Sequence, residues 1–336
     1  MSDNHSVSSQ PRIVAFGEVL WDMLPAGPKL GGAPVNFLYH AHVLGARVQA
    51  LTRVGDDQLG RDVLARFAKL EIPTDFVQIS RDAPTGVVNV SLDANGNPSY
   101  EIVENVAWDE IVVDEAIVGR ILDFLADSSK SAFYYGSLAL RSQDNRRALE
   151  QIVKRLPYSV LRVCDLNLRP PFYSKEVVRF ALESADAFKL NDSEAIELDQ
   201  MFRDVLPPSL EPLVGDDGGL GEAIRRDKAQ VDEILAQWAK NWRDRFGLST
   251  IIVTCGAHGA YLFNGDRASY APSVEVQIAD AVGAGDSFSA VCVAGILSDV
   301  DDAKIVEAAA KRAAFVCSQD GAMPPIPPED ANPFQY

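Results

Sequence analysis

A glycine-rich turn bearing acidic residues precedes a long apolar segment near the carboxyl end of the chain. In the stretch DAVGAGDSFSAVCVAG, residues 280–295, Gly283, Ala284 and Gly285 come directly before the small and apolar residues of a predicted buried helix. Such a turn leaves main-chain N–H groups unpaired at the positive end of the helix dipole, where they bind anions. Asp286 follows in the first helical turn, where a carboxylate can accept the proton of a hydroxyl group that attacks a bound phosphate. An aspartate that only stabilises the helix dipole is the alternative interpretation.

A second set of polar residues follows the first predicted strand, which lies in RIVAFGEVL and ends at Gly17. It consists of Asp22, the glycine pair Gly31 and Gly32, and Asn36 at the start of a predicted helix. Open α/β sheets bind ligands beyond the carboxyl ends of their strands, and a carboxylate with an amide suits a polyhydroxylated substrate. A turn that merely starts a helix would explain the same residues without a ligand.

Two common nucleotide-binding motifs do not occur in the sequence. There is no GxxxxGK[ST] stretch, and no GxGxxG stretch follows a predicted strand. A P-loop and a dinucleotide-binding fingerprint are therefore not supported.

The elements that must position these residues alternate between strand and helix patterns. RVQALTRVG reads as a strand and DQLGRDVLARFAKL as an amphipathic helix, and the same alternation returns from residue 131 onward. This pattern predicts an α/β fold with a mostly parallel sheet. Between these two regions of alternating strands and helices, TGVVNVSLDANGNPSYEIVENVAW contains two runs in which apolar and polar residues alternate around an Asn95-Gly96 turn. These runs predict a β-hairpin that lies outside the parallel sheet.

The domain organisation follows from these patterns. We expect one domain over residues 11–330, to which residues of about 20–33 and 85–106 contribute a small β lid. Residues 199–240 are rich in proline, glycine and charge in their first part, so they are predicted to be a surface insertion. The polar residues 1–10 are predicted to be disordered.

The overall charge excludes some classes of partner. The 336 residues include 31 Lys and Arg against 48 Asp and Glu, and the net charge of −17 argues against binding to nucleic acid or to an anionic membrane. The amino terminus lacks the pattern of a signal peptide, and no apolar run approaches the roughly 18 residues of a membrane span. A cytoplasmic location is therefore expected.

Taken together, two long stretches resemble the signatures of a known family. LGGAPVNFLYHAHVLG near the amino terminus and DAVGAGDSF near the carboxyl terminus are similar to the two signatures of the ribokinase-like, or PfkB, family of carbohydrate kinases. DLNLRPPFY, KLNDSE and TCGAHGA lie between them in the family order, so the resemblance extends over residues 13–326. It implies a three-layer α/β/α sandwich with a mostly parallel central sheet and a small β lid.

The resemblance also implies a role for each matching residue. It makes Asp286 the catalytic base and residues 283–285 the anion hole that holds the transferring phosphoryl group. The other implied roles are sugar binding (Asp22, Gly31, Gly32, Asn36 and Arg169), nucleotide binding (Asn191, Thr254, Gly256 and Gly259), Mg²⁺ binding through water (Glu194) and monovalent-cation binding (Asp280 and Gly321). Structural alternatives are that Asn191 caps the following helix and that Asp165, Asn167 and Arg169 form a turn network.

The implied activity is ATP-dependent and Mg²⁺-dependent phosphorylation of a sugar hydroxyl, with K⁺ as an additional cofactor. Since GGAP-x-N is most similar to the fructokinase branch, D-fructose is the first expectation, phosphorylated to fructose 6-phosphate. Kinases for 2-keto-3-deoxygluconate, ribose or a nucleoside share the same catalytic turn and are the alternatives. A sugar-sensing protein without catalysis on the same fold is the alternative of another class. The exposed edges of the lid predict a homodimer.

Overall fold

The computed structural model describes residues 10–25, 27–92, 98–206, 210–211, 213 and 219–334. Apart from Gln10, the segment predicted to be disordered lies outside these residues, as does the Asn95-Gly96 turn of the predicted hairpin.

The strands and helices occur in the alternating order that the sequence predicts. In chain order the strands are β1 (Arg12–Phe16), β2 (Leu20–Leu24), β3 (Gly27–Gly31), β4 (Arg47–Gly55), β5 (Val77–Ser80), β6 (Gly86–Leu92), β7 (Pro98–Ile102), β8 (Ser131–Gly136), β9 (Val160–Asp165), β10 (Ala187–Asn191), β11 (Thr250–Thr254), β12 (Ala260–Asn264) and β13 (Arg267–Ala271). The helices are α1 (Ala33–Val43), α2 (Gln58–Lys69), α3 (Glu115–Ala126), α4 (Gln143–Val153), α5 (Lys175–Glu183), α6 (Asp192–Met201), α7 (Leu220–Arg226), α8 (Lys228–Phe246), α9 (Ala284–Leu297) and α10 (Asp302–Cys317).

A large, mostly parallel sheet forms the centre of the molecule. Within the described residues it has nine strands in the order β13-β12-β11-β10-β9-β8-β1-β4-β5. The strands from β11 to β5 are parallel, whereas β12 and β13 run antiparallel at one edge. The expected α/β architecture with a mostly parallel sheet is therefore confirmed.

Helices cover both faces of this sheet and enclose two apolar clusters. Residues of β1 alternate between them, since Val14 and Phe16 face one cluster and Ile13 and Ala15 face the other. Helices α3 to α8 contribute to the first cluster, and α1, α2, α9 and α10 to the second. This period of two is what a strand buried on both faces produces. Among the described residues, no helix combines the length and the apolar character that a membrane span requires.

A second, smaller sheet combines β2 and β3, which lie between β1 and α1 in sequence, with β6 and β7, which follow β5. Its four strands in the described part of the chain have the order β3-β2-β6-β7, with β2 parallel to β6 and the other pairs antiparallel. These strands fall within the ranges 20–33 and 85–106 that were predicted to form a lid. Since β2 and β3 connect β1 to α1, the small sheet is attached directly to the carboxyl edge of the large one.

The segment predicted to be a surface insertion is only partly on the surface. Helix α8 buries Leu235, Trp238 and Trp242 in the first apolar cluster, and the Phe202 and Trp242 rings lie 5.4 Å apart between centroids. The prediction of a surface insertion at residues 199–240 is therefore wrong for α8 and also for Phe202, Leu210 and Leu213, which are buried in the same cluster. The apolar residues of α8 recur every three or four positions, a spacing that buries one face of a helix.

Candidate active site

The predicted anion hole and base lie at the start of α9. Gly283 caps this helix with a φ of 79°, and Asp286 lies in its first turn with 9% of its surface exposed. Asn36 of α1 donates a hydrogen bond from Nδ2 to Asp286 Oδ2 at 2.8 Å. The structure thus brings together residues from the two sequence signatures, and the amide fixes the orientation of the carboxylate.

Burial changes the acidity of Asp286. Desolvation raises its pKa to about 6, with a further increase from the charge of Asp165, while Asn36, Lys189 and Arg169 oppose the change. A carboxylate with a pKa near 6 is largely ionised at neutral pH and a stronger base than an exposed aspartate. It therefore suits the acceptance of a proton from an alcohol.

A buried ion pair lies beside this helix start. Lys189 Nζ is 3.0 Å from Asp165 Oδ1, and Oδ2 of the same carboxylate accepts hydrogen bonds from Ser289 Oγ at 2.8 Å and Tyr134 at 3.2 Å. A Cβ atom on Gly285 would lie 3.0 Å from Lys189 Nζ, so the ammonium group is next to the predicted anion hole. Burial lowers the pKa of Lys189, but the carboxylates of Asp165, Glu194 and Asp286 raise it overall. Lys189 is therefore a buried cation.

Replacement of Gly283 by alanine is expected to lower the free energy of unfolding by about 1–3 kcal/mol, because its φ is left-handed. The new Cβ would also lie 2.5 Å from Ala322 Cβ, so the helix start must move. Urea unfolding measures the change. Gly285→Ala is the matched control, since its Cβ meets only the movable end of Lys189. Equal losses in the two variants would contradict this account.

The residues predicted to bind the sugar surround the junction of the small sheet and α1. Asp22 pairs with Lys29 across β2 and β3. A Cβ on Gly31 would lie 2.7 Å from Asp22 Oδ2, and one on Gly32 would lie 2.5 Å from the carbonyl oxygen of Glu18. Gly32 is therefore required, since its φ is 112° and its neighbour is main chain, whereas a side chain at position 31 would displace the Asp22 carboxylate. Desolvation raises the pKa of Asp22, as does the charge of Asp280.

Arg169 supplies a positive charge to this group of residues. Its charge lowers the pKa of Asp22, Glu18 and Asp286, so it acts on three carboxyl groups at once. The side chain is exposed, and the hydrogen bond that the structure gives it runs to the carbonyl oxygen of its neighbour Leu168 at 3.0 Å. The guanidinium group is thus available to an anionic ligand.

Asn191 and Glu194 form a capping box at the start of α6. Asn191 Oδ1 accepts a hydrogen bond from the Glu194 main-chain N–H at 2.8 Å, and Glu194 Oε2 accepts one from the Asn191 N–H at 2.8 Å. Glu194 Oε1 accepts a third from Leu168 N–H at 2.6 Å. The capping alternative for Asn191 is therefore realised. Among the described residues, no group of three or more His, Cys, Asp or Glu could hold a metal ion.

The predicted nucleotide loop follows β11. Gly256 and Gly259 have φ values of 52° and 89°, and a Cβ on Gly259 would overlap the Ala271 carbonyl oxygen. Thr254 Oγ1 lies 3.5 Å from the Leu190 carbonyl oxygen. Since β10 and β11 are neighbours, this loop and Asn191 lie at the same edge of the sheet.

The structure also brings together the two residues predicted to bind a monovalent cation. Asp280 Oδ2 accepts a hydrogen bond from Gly321 N–H at 3.2 Å, and Oδ1 accepts one from Val282 N–H at 3.0 Å. Lys29 Nζ lies 3.9 Å from Asp280 Oδ2 and 2.5 Å from Asp320 Oδ1. Main-chain donors and an ammonium group therefore already face the Asp280 carboxylate.

The sheet order, the small sheet at its carboxyl edge and the acidic start of α9 define a ribokinase-like α/β protein. The profile described as pfkB family carbohydrate kinase matches residues 28–329. The chain belongs to this family.

Similar proteins give the same family over nearly the whole chain. A fructokinase of Solanum tuberosum is 26% identical over 98% of this chain and 97% of its own. A 2-dehydro-3-deoxygluconokinase from Thermotoga maritima superposes with a TM-score of 0.75 at 20% identity, over 96% of this chain and 98% of its own. A fructokinase from Xylella fastidiosa, solved with bound ATP, superposes with a TM-score of 0.70 at 21% identity, over 93% and 94% of the two chains.

Three residues of this region were not predicted from sequence to belong to the site. Lys189 and Glu18 were missed, and Asp165 was considered only for a turn network. Each is a charged residue within or directly after an apolar strand, and such residues are seldom fully buried without a partner. That contrast is the signal that could have identified them.

Proposed function

We propose that the protein is an ATP-dependent sugar kinase that transfers the γ-phosphoryl group to a sugar hydroxyl, with D-fructose as the substrate and fructose 6-phosphate as the product. The observation that carries the proposal is the contact between Asn36 and Asp286 at the start of α9, because it joins the sugar signature to the phosphate signature. Family membership supports the reaction class.

Asp286 acts as the general base in this proposal. Its carboxylate accepts the proton of the attacking hydroxyl while the sugar oxygen forms a bond to the γ-phosphorus. The bond from that phosphorus to the oxygen bridging to the β-phosphate breaks, and ADP leaves with the bonding electrons. In this proposal the N–H groups of residues 283–285 and the Lys189 ammonium group stabilise the charge that accumulates on the phosphoryl oxygens, and the 3.0 Å distance from a Cβ on Gly285 to Lys189 Nζ supports this role.

The nucleotide is expected to lie between the 256–259 loop and the start of α9. The segment joining β13 to α9 carries the exposed apolar side chains Val274, Val276, Ile278 and Val282, which suit contact with a purine ring. Ser273 at the start of this segment donates a hydrogen bond to Ala257 O at 2.6 Å and so holds the segment against the loop.

Mg²⁺ commonly enters such sites on the nucleotide phosphates and neutralises their charge. Glu194 would face such an ion only through water, since both of its oxygens accept main-chain hydrogen bonds. A monovalent ion at Asp280 stays a prediction.

One observation favours a different sugar. The Arg169 guanidinium group is exposed next to the predicted sugar residues, and it could pair with the carboxylate of a sugar acid. The 2-dehydro-3-deoxygluconokinase from Thermotoga maritima is a structural neighbour. A kinase for 2-keto-3-deoxygluconate is therefore the second candidate.

A coupled assay of ADP release distinguishes the candidates. The purified protein is tested with ATP, Mg²⁺ and, in turn, fructose, 2-keto-3-deoxygluconate, ribose and adenosine, with and without K⁺. Selective turnover of fructose supports the first candidate, and selective turnover of the sugar acid supports the second. Sugar binding without ADP release supports a sugar-sensing protein instead.

Protonation of Asp286 is expected to lower kcat/KM about tenfold per pH unit as the pH drops below about 6. Asp286 must be ionised to accept a proton, and burial raises its pKa to about 6, so activity is present above this pH and lost below it. Initial rates between pH 4.5 and 8 at subsaturating sugar measure the profile. An acid limb centred near pH 4, as for an exposed aspartate, would contradict this prediction.

The homodimer belongs to the same proposal. In the described residues β3 and β7 form the edges of the small sheet, and Met23 and Tyr100 are exposed on its strands. Unpaired edges with apolar side chains favour pairing between two copies. Light scattering after gel filtration measures the mass.

A further inference from the structure

Glu18 is a buried carboxylic acid beside the residues of the proposed sugar site. It lies two positions after the end of β1, and only 2% of its surface is exposed. The main-chain N–H groups of Glu18 itself and of Ala33, the first residue of α1, favour its ionised form. Its carboxyl group therefore faces the start of α1, where the capping residue Gly32 has no side chain that could accept a hydrogen bond from the helix.

Two buried oxygen atoms in this region have no hydrogen-bond donor among the described residues. They are Glu18 Oε2 and Asn36 Oδ1. The Asn36 amide already uses Nδ2 to bind Asp286, so its oxygen is the remaining polar atom of that side chain. Leaving a buried acceptor unpaired costs about 1–3 kcal/mol, and native proteins seldom tolerate it without a functional reason.

The charged and titratable groups facing Glu18 come from several elements. Desolvation is the main cause that raises its pKa to about 7, the charge of Asp286 on α9 adds to this, and Arg169 after β9 opposes it. Tyr134 of β8 also faces this group, because the Glu18 charge contributes to raising the pKa of the tyrosine. Glu18 is thus electrostatically linked to both the predicted base and the arginine of the pocket.

We propose that Glu18 binds the acceptor sugar through a hydrogen bond from a sugar hydroxyl to Oε2, next to the hydroxyl that Asp286 deprotonates. A substrate with neighbouring hydroxyls supplies the two donors that Glu18 Oε2 and Asn36 Oδ1 lack. This inference rests on the proposed function, since it concerns the same pocket. It makes Glu18 a specificity determinant that selects polyols over their deoxy analogues.

The test compares Glu18→Ala and Glu18→Gln with the wild type on the accepted sugar and its monodeoxy analogues. Removing one hydroxyl is expected to lower the wild-type kcat/KM about 10- to 100-fold for the analogue lacking the Glu18 partner. In Glu18→Ala the ratio of kcat/KM for the parent sugar to kcat/KM for that analogue is expected to fall below about threefold. The KM for the parent sugar is expected to rise at least about tenfold, with the KM for ATP unchanged. An unchanged ratio overturns the proposal.

Glu18→Gln keeps the test valid if the alanine variant fails to fold. The glutamine oxygen can still accept from Ala33 N–H, but the side chain no longer titrates. An ionisation near pH 7 in the wild-type plot of 1/KM for the sugar against pH is expected to disappear in Glu18→Gln. If that plot is the same in both proteins, Glu18 only supports α1 and the proposal is wrong.

Asp302→Asn is the matched control, since Asp302 is a similarly buried carboxylate at the start of α10 that binds Asn264 and Arg267. It is expected to leave both KM values unchanged.

Calorimetric titration separates this inference from the kinase proposal. If the wild type binds sugar without turnover, the kinase proposal is wrong. The difference in its affinity for the sugar and for the deoxy analogues then still tests the role of Glu18. Absence of sugar binding overturns both.

Discussion

Asp286→Asn is expected to lower kcat at least about 10³-fold while sugar binding persists, because general-base catalysis contributes about 10²–10⁴-fold and an amide cannot accept the proton. Asparagine keeps the shape of the side chain, and its oxygen can still accept the hydrogen bond from Asn36. The fold and the N–H groups of residues 283–285 are therefore retained. Steady-state kinetics with fructose and ATP measure the rate, and calorimetry measures sugar binding.

The control for this experiment is again Asp302→Asn, which removes a carboxylate of similar burial in the first turn of α10. Its kcat is expected to stay within about twofold of the wild type. If Asp286→Asn retained more than about a tenth of the wild-type kcat, the base would have to be another group. Loss of sugar binding together with turnover would instead indicate that Asp286 mainly positions the sugar.

Lys189→Met is expected to lower the free energy of unfolding by about 3–5 kcal/mol, because it leaves the Asp165 carboxylate buried without its cation. Asp165 is only 1% exposed, so water cannot replace the ammonium group without local opening. The loss of this charge also removes one of the groups that lower the pKa of Asp286. The acid limb of kcat/KM should therefore shift to higher pH, and urea unfolding and a pH profile measure the two effects.

Combining Lys189→Met with Asp165→Asn separates charge from packing. The second substitution removes the unpaired charge, and its amide oxygen can still accept hydrogen bonds from Tyr134 and Ser289. The double variant should recover at least about half of the lost stability. If it is no more stable than Lys189→Met, the loss comes from the lysine methylenes and not from the ion pair.

The sequence predicted the elements of the large sheet well because their patterns are local. The buried strand β1 is an unbroken apolar run, and the small and apolar residues after Gly283 form α9 as expected. The alternation of strand and helix patterns predicts a mostly parallel sheet, so the fold class was accessible without any knowledge of distant contacts. The residues themselves suggested an anion hole at 283–285, a base at Asp286 and a polyol site at Asp22 and Asn36, and the family resemblance supplied the other roles.

The charged centre of the site could not be predicted in the same way. Asp165 and Lys189 are separated by 24 positions in sequence and meet because β9 and β10 pair in a register that places them opposite each other. Glu18 looks like an ordinary residue of the loop after β1 until Gly32 of α1 closes against its main chain. Such contacts depend on which strands and helices become neighbours, and a local pattern contains no information about that.

The hydrogen bond between Asn36 and Asp286 spans 250 positions of the chain. Closing so long a loop is entropically costly, so contacts of this kind depend on the shorter-range structure that brings their ends together. We therefore expect this contact to form late during folding, after α1 and α9 have met in the second apolar cluster. In the proposed kinase, a partly folded chain would lack the oriented Asp286 carboxylate and would therefore not catalyse transfer of the γ-phosphoryl group from ATP to water.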